Sequence, residues 1–381
     1  MPLQYRQLGK LISSPYSSAY FRKSCGDLTG RVERAMRQTT MSRLSDKATI
    51  NLFKNSSLEE LSQLASEAKL QHHPDNTASY VIMRIVSLTN VCVADCVYCA
   101  FYRRPGDKDA YVLTQDQIFA KVDQLVERGG SMVAMEGGFH PKLKVEHYET
   151  LFRAMRERYG DRIEIYGPTI VEAIWIAKSS KISLEDCLKR LMAAGLRWIP
   201  GGGAEILTDE WRKKLSPKKY SVAEYINGMR TAQRLGMGTT ATMVIGFGEP
   251  YEARVEHLRH LRNLQDETGG FASFLMWTYQ SQNTALGGSV TSNDDYLRTI
   301  AISRLYLDNI PHVRASILTQ HEKGPEALLY GANDFDIPLE DQVTQLAGAT
   351  IENNTDQVLN WVRARGLTPV MRQPFPIPAC K

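Results

Sequence analysis

The chain has 381 residues, 43% of them hydrophobic and 23% charged, with a formal net charge of +4. That is enough apolar material for two average domains or one large α/β barrel, and too little positive charge for a nucleic-acid-binding surface. No apolar run approaches the ~18 residues of a membrane span, the N-terminus lacks the apolar core of a secretory signal, and six scattered cysteines suggest no disulfide framework, so a reducing, cytoplasmic setting is expected.

Residues 1–45 read as a basic extension. Residues 1–43 carry eight Lys or Arg against Asp27 and Glu33, and many serines. Organellar targeting segments share this composition, but a basic extension is the simpler reading. Residues 46–79 are a helical segment expected to pack on the rest, with Ser57 and Glu60 at capping-box spacing ahead of Leu58, Leu61, Leu64, Ala65 and Ala68. His72 and His73 belong to the loop that ends it.

Tyr80–Thr89, rich in Val and Ile, predicts a first strand. The next helix begins near Thr114, with Gln117 three residues on and Gly129-Gly130 as its stop. The connection between them is several times longer than the ~2–6 residues usual in α/β units, which marks it as functional. It holds Cys92, Cys96 and Cys99 in a C-x3-C-x2-C pattern, with Tyr98 before the last cysteine. A disulfide explains three closely spaced cysteines poorly. Structural zinc wants four ligands, and no second C-x2-C or His-containing half follows. Three thiolates holding an iron–sulfur cluster with one iron left open fit better.

From Ser131 onward strands and helices alternate. Strands are expected at Ser131–Gly138, Ile163–Gly167, Leu196–Pro200, Thr239–Phe247, Ala272–Tyr279, Val313–Leu318 and Ala327–Tyr330. Helices are expected at Val145–Tyr159, Ser183–Ala194, Ser221–Leu235, Tyr251–Glu267, Asp294–Asp308, Asp341–Ala347 and Thr355–Arg365. Eight strands alternating with helices imply a parallel sheet. The expected fold is a (βα)8 TIM-type barrel over residues 80–381, closed or partly open, with C-terminal helices.

In such barrels the active site lies at the C-terminal strand ends. There the sequence places the three cysteines, Glu136-Gly137-Gly138-Phe139-His140, Gly167-Pro168-Thr169, Gly201-Gly202-Gly203-Ala204-Glu205, Gly246–Glu249, Trp277–Gln280 and Gly331-Ala332-Asn333-Asp334. Glu205 and Glu249 at strand ends suit hydrogen bonding to a ribose or substrate, and His140 suits a substrate contact or a plain loop. His257 and His260 read as a solvated helix face, and Cys187 as a core residue. No G-x4-G-K-[ST] or G-x-G-x-x-G occurs, which excludes nucleoside-triphosphate and Rossmann sites.

With its aromatic before the third cysteine and its glycine pair after strand two, the chain resembles the radical S-adenosylmethionine (SAM) superfamily. Within it the chain is most similar to the dehypoxanthine futalosine cyclase family of the futalosine route to menaquinone. Ile199–Leu207, Ser216-Pro-Lys-Lys219, Thr239–Met243, Leu264–Phe271, Trp277-Thr278, Asn283-Thr284, Ala301–Arg304, Leu307–Ile310 and Gly331–Phe335 carry that similarity. Arg84–Leu88, Phe139-His140-Pro141 and Asp336-Ile337-Pro338 depart from it.

The resemblance implies one 4Fe-4S cluster on Cys92, Cys96 and Cys99, SAM, and an electron donor such as flavodoxin or ferredoxin. It implies a nucleoside-like substrate cyclised after hydrogen abstraction at C4′. Tyr98, Glu136, Gly137, Gly138, Thr169, Glu205 and Glu249 would bind cofactor. Gly201, Gly202, Gly203, Thr278, Asn283, Asn333 and Asp334 would bind substrate, with His140 and Glu205 as catalytic candidates. Aminofutalosine synthases and deazaflavin-precursor synthases are the nearest alternatives, and a zinc-stabilised non-catalytic barrel is the alternative of another class.

Overall fold

The computed structural model describes residues 43–381, so the basic extension lies outside the described residues apart from its last three. Two helices come first, α1 (Asp46–Asn55) and α2 (Leu58–Leu70), where the sequence suggested one helical stretch. Ser57 is the reason for the break. Its hydroxyl accepts from the Glu60 N–H, and the Glu60 carboxylate accepts from the Ser57 N–H in return.

Eight parallel strands form a closed barrel: β1 (Thr77–Ser87), β2 (Met132–Glu136), β3 (Glu164–Tyr166), β4 (Trp198–Ile199), β5 (Gly238–Ile245), β6 (Phe271–Thr278), β7 (His312–Ala315) and β8 (Asp334–Pro338). Closure rests on β1, which pairs with β2 through Met83–Ser87 and with β8 through Ser79–Met83. The helices are α3 (Gln115–Glu127), α4 (Val145–Tyr159), α5 (Ile170–Ser180), α6 (Leu184–Ala193), α7 (Asp209–Leu215), α8 (Val222–Arg234), α9 (Tyr251–Thr268), α10 (Asn293–Tyr306) and α11 (Ile317–Gln320). After the barrel come α12 (Gln342–Leu346), α13 (Thr355–Arg363) and a short strand β9 (Thr368–Met371), which pairs with the start of β1.

Several features differ from the sequence reading, among them the expected strand Val313–Leu318, which ends at Ala315 before α11. Helices α5 and α7 were not anticipated, and α5 is buried on much of its surface, so it lacks a clear polar stripe. Residues Ala327–Tyr330 are not a strand, because His321–Leu329 winds into a 3-10 helix containing Pro325. The eighth strand is instead Asp334–Pro338. That moves Asn333 and Asp334 from the expected top of the barrel to its base, where Ser79 near the start of β1 lies opposite Asp334.

The base of the barrel is plugged. Val81, Met132, Trp198 and Ala272 pack with Phe375 of the C-terminal segment, and this cluster continues upward through Met83, Ile85, Ala134 and Tyr166. Phe375 stacks on His312 with ring centroids 4.2 Å apart. Only the upper end of the lumen is left for a ligand, where the strands' C-terminal ends lie.

Candidate active site

The connection from β1 to α3 is held by its own hydrogen bonds. Cys92 N donates to Arg103 O at 2.9 Å and Arg103 N to Asn90 O at 2.7 Å. The Asn90 side chain accepts from Tyr111 N at 2.8 Å and donates to Asp109 O at 2.9 Å. Within this frame Cys92 and Cys96 are buried and Cys99 is half-buried. Burial pushes the Cys96 thiol up to about 12, against the pull of the nearby Lys219 ammonium. That thiol therefore needs a metal to ionise it.

Gly138 is required by this loop. A Cβ there would lie 2.3 Å from Val91 O and 2.8 Å from Cys92 Cβ. Gly137 approaches Thr89, where a Cβ would lie 3.1 Å from the carbonyl oxygen. The glycine pair thus seats the end of β2 against the cysteine loop, at the place where a small zwitterion would meet main-chain groups.

Beside the cysteines stands a buried polar cluster. The Tyr98 hydroxyl donates to Glu205 Oε1, and Lys219 Nζ reaches the Tyr98 hydroxyl at 2.6 Å and Glu205 Oε1 at 3.1 Å. Arg212 Nη1 lies 3.8 Å from Glu205 Oε2. Burial alone would push Glu205 up, but Lys219 and Arg212 outweigh it and hold the carboxyl below its usual range. Glu205 also sits at φ 45°, a left-handed conformation uncommon outside glycine. Glu205 Oε2 and Arg212 Nη2 are buried without hydrogen-bond partners in the protein. Such orphans next to an open site are what a polar ligand would satisfy. Lys219 was legible only as part of a motif, and neither it nor Arg212 stood out as a site residue.

A cavity fills the upper lumen. Glu136, Gly202, Tyr166, Thr240, Thr242, Trp277, Arg314, Ser316 and Asp336 line it, together with Met83, Ile85 and Leu275. The Tyr166 hydroxyl donates to Thr240 Oγ1 at 2.5 Å. Arg314 pairs with Asp336 and lies 3.3 Å from Asp334. Of the residues expected to bind substrate, only Gly202 lines this cavity. Gly201 and Gly203 flank it with tight backbone packing, Gly201 against Thr240 and Gly203, at φ 85°, against Val171.

Several expected site residues are committed elsewhere. The Glu249 carboxylate accepts from Gly246 N, from Phe247 N at 2.8 Å and from Arg254 Nε at 2.8 Å, so it braces a loop and has no face for a ligand. Through Phe247 it supports Tyr98, whose ring centroid lies 5.6 Å from that of Phe247. Thr169 caps α5, its hydroxyl donating to Glu172.

Thr278 accepts from Gln320 Nε2 at 2.8 Å and is absent from the cavity wall, where its neighbour Trp277 stands. Asn283 is exposed and donates to Leu346 O at 2.9 Å. Asn333 is bonded by Arg304 and His312, and Asp334 by Arg372 and Ser79, all at the barrel base. His140 Nδ1 accepts from the N–H groups of Lys142 and Leu143, so that nitrogen holds a turn and is not open to a substrate proton.

The two histidines on α9 also divide: His257 is fully buried and accepts from Leu207 N at 2.9 Å, against the expectation of a solvated face. Cys187 lies in the core as expected.

Among the described residues, no three or more His, Cys, Asp or Glu side chains close to the spacing of a single-ion site. A zinc-stabilised barrel needs such a site. Three thiols on one loop, flanked by the Lys219 ammonium, fit an iron–sulfur cluster.

Residues 86–261 match the radical SAM superfamily model, and residues 268–375 match the CofH/MqnC C-terminal region. The chain is 39% identical over 348 residues to the cyclic dehypoxanthine futalosine synthase of Halalkalibacterium halodurans, covering 91% of this chain and 93% of that protein. The enzyme of the same name from Streptomyces coelicolor is 36% identical over 336 residues, 87% and 84% of the two chains. The aminodeoxyfutalosine synthase of Thermus thermophilus is 35% identical over 315 residues, 81% and 84%. Among solved structures, methylornithine synthase superposes with a TM-score of 0.68 at 20% identity, over 87% of this chain and 95% of that one, a likeness of fold.

Proposed function

This chain belongs to the radical SAM superfamily and its CofH/MqnC branch, and from that membership we propose that it cyclises dehypoxanthine futalosine to cyclic dehypoxanthine futalosine in menaquinone biosynthesis. The observation that carries the reading is the near full-length similarity, at 36–39% identity, to two enzymes named for that product. It is joined to a three-cysteine loop set over a lumen cavity.

Bound here, a 4Fe-4S cluster and SAM would supply the radical chemistry that takes hydrogen from C4′ of the substrate sugar. The chain's own residues do the rest. Cys92, Cys96 and Cys99 would hold the cluster. The Gly137-Gly138 backbone gives the methionine end of SAM close access to main-chain groups. Tyr98, fixed by Glu205 and Lys219, would lie along the adenosyl part, and Glu205 Oε2 and Arg212 Nη2 offer the unsatisfied acceptor and donor. Beneath them the cavity takes the sugar and the attached benzoate ring, with Trp277, Leu275, Ile85 and Met83 excluding water from the radical.

No helix among the described residues is long and apolar enough to cross a membrane. A cytoplasmic enzyme reduced by a flavodoxin or ferredoxin completes the reading.

The test is anaerobic incubation of iron-loaded protein with SAM, a reductant and dehypoxanthine futalosine. Formation of 5′-deoxyadenosine together with the cyclised product is expected. Deoxyadenosine with no cyclised product would sink the substrate assignment and favour the aminofutalosine branch. Tightly held zinc, with no iron or sulfide, would sink the radical chemistry itself.

A further inference from the structure

The implied reaction ends with a proton to dispose of, and no residue has yet been given that task. Glu136, which the resemblance grouped with the cofactor contacts, is the last residue of β2 and lines the lumen cavity instead, beside Gly202, where an added Cβ would meet Glu136 Oε1 at 4.0 Å. Among the described residues no donor and no cation pairs with its carboxyl. The other proton acceptors named above are occupied. Asp336 is ion-paired to Arg314, the Tyr166 hydroxyl is bonded to Thr240, and Glu205 is held by Lys219 and Tyr98. His140 Nδ1 is committed to its own turn.

We propose that Glu136 is the catalytic base that takes the proton from the benzoate ring carbon to which C4′ has become bonded. The inference rests on the substrate assignment above. The balance is as follows. The C4′ radical forms one carbon–carbon bond to a ring carbon that still carries hydrogen, leaving an unpaired electron delocalised over the ring. That C–H bond breaks, its proton passes to the Glu136 carboxylate, and one electron leaves to an oxidised carrier of the iron–sulfur or flavin class. The ring is aromatic again, and Glu136 returns its proton to solvent when the product leaves.

The surroundings suit a base. Burial, then the nearby Glu172 and Asp341 carboxyls, push Glu136 up to about 8. Glu172 itself is pushed up to about 7, chiefly by burial, with Thr169 and the Gly137 N–H opposing, and burial likewise raises Asp341. Across the lumen the Arg314 charge is taken up by Asp336 and Asp334. A carboxylate with raised affinity for protons is a stronger base once ionised, and general-base catalysis is typically worth 10²–10⁴-fold.

The test compares wild-type enzyme with Glu136→Gln in iron-loaded, anaerobic assays, reading cyclised product per 5′-deoxyadenosine. Glu136→Gln is expected to cleave SAM in the presence of substrate while the product ratio falls about 10²-fold. Ring-deuterated substrate should then show a larger isotope effect on product than in wild type. The wild-type ratio should rise with pH through about 8, where the carboxyl ionises, and the variant should be flat. Glu136→Asp should keep the pH dependence with partial product. Iron content and melting temperature of both variants confirm the fold.

Equal ratios in Glu136→Gln and wild type would overturn the role of Glu136 alone, as would a variant that no longer forms deoxyadenosine. A wild type that forms deoxyadenosine and never cyclises would overturn the substrate assignment, and the two failures are read from different samples.

Discussion

Replacing Glu249 by Ala tests how the loop behind Tyr98 is held. In the native fold its carboxylate takes the Gly246 and Phe247 N–H groups and the Arg254 guanidinium, with the side chain fully buried. Removing one member of a buried ion pair costs about 3–5 kcal/mol, because the partner is left uncompensated. Here Arg254 keeps two bonds to Asp295 and one to Thr299, so the lower end applies, about 3 kcal/mol. With ~340 described residues at about 2.1 cal/mol/K each, the unfolding entropy is roughly 0.7 kcal/mol/K, and the melting temperature should drop by about 4 °C.

The assay is differential scanning calorimetry of anaerobic, iron-loaded protein, with Glu249→Gln as the milder comparison. The Gln variant keeps one acceptor oxygen and should lose about half as much. Tyr98 leans on Phe247, so deoxyadenosine formation should also weaken in the Ala variant. An unchanged melting temperature would refute the reasoning. So would unchanged stability with lost SAM cleavage, which would mean that Glu249 meets the cofactor directly.

Other outcomes follow from the same geometry. Gly138→Ala should displace the cysteine loop, since its Cβ would overlap Val91 O at 2.3 Å, costing about 1–3 kcal/mol; normal iron loading and melting would contradict this. Cys96→Ala should abolish deoxyadenosine formation while the protein stays soluble, and retained activity would contradict the cluster assignment.

His257 is lowered to about 3, chiefly by burial. Its unfolded form therefore binds a proton below about 6.5 that the folded form refuses, and stability should fall as pH drops from there toward 3, at up to ~1.4 kcal/mol per unit. His257→Asn can still accept the Leu207 N–H and should flatten that slope by one proton; an unaltered slope in urea titrations at pH 4–6 would disprove it. Lys219→Met should leave Glu205 with Arg212, at 3.8 Å, as its one remaining cation beside the Tyr98 hydroxyl, lowering both iron retention and SAM cleavage, while unchanged values for both would remove Lys219 from the site.

Local chemistry is what a sequence states most directly. Three cysteines within one loop share a site whatever the fold does, because the chain between them is too short to separate them. Capping pairs at Ser57, Thr114 and Ser221 set helix starts for the same reason, each being closed within a single turn. Alternating strands and helices implied the parallel barrel, and with it the end at which chemistry belongs.

The lumen was decided only by tertiary structure. Asp334-Phe-Asp-Ile-Pro338 has the composition of a turn, yet it forms a strand because Arg314 and Arg372 neutralise its two inward carboxylates from elsewhere in the chain. Nothing within residues 334–338 announces those partners, so the sequence pattern puts the strand too early and Asn333 and Asp334 at the wrong end of the barrel. His257 and His260 share a helical spacing, and only packing shows that one is buried. Glu249, Thr169 and His140 stand at strand ends as expected, but main-chain donors claim their side chains. Glu136 stands at a strand end too, and the fold surrounds it with no cation. Which polar groups remain free to act depends on which partners the fold brings near, and that is a property of the closed barrel.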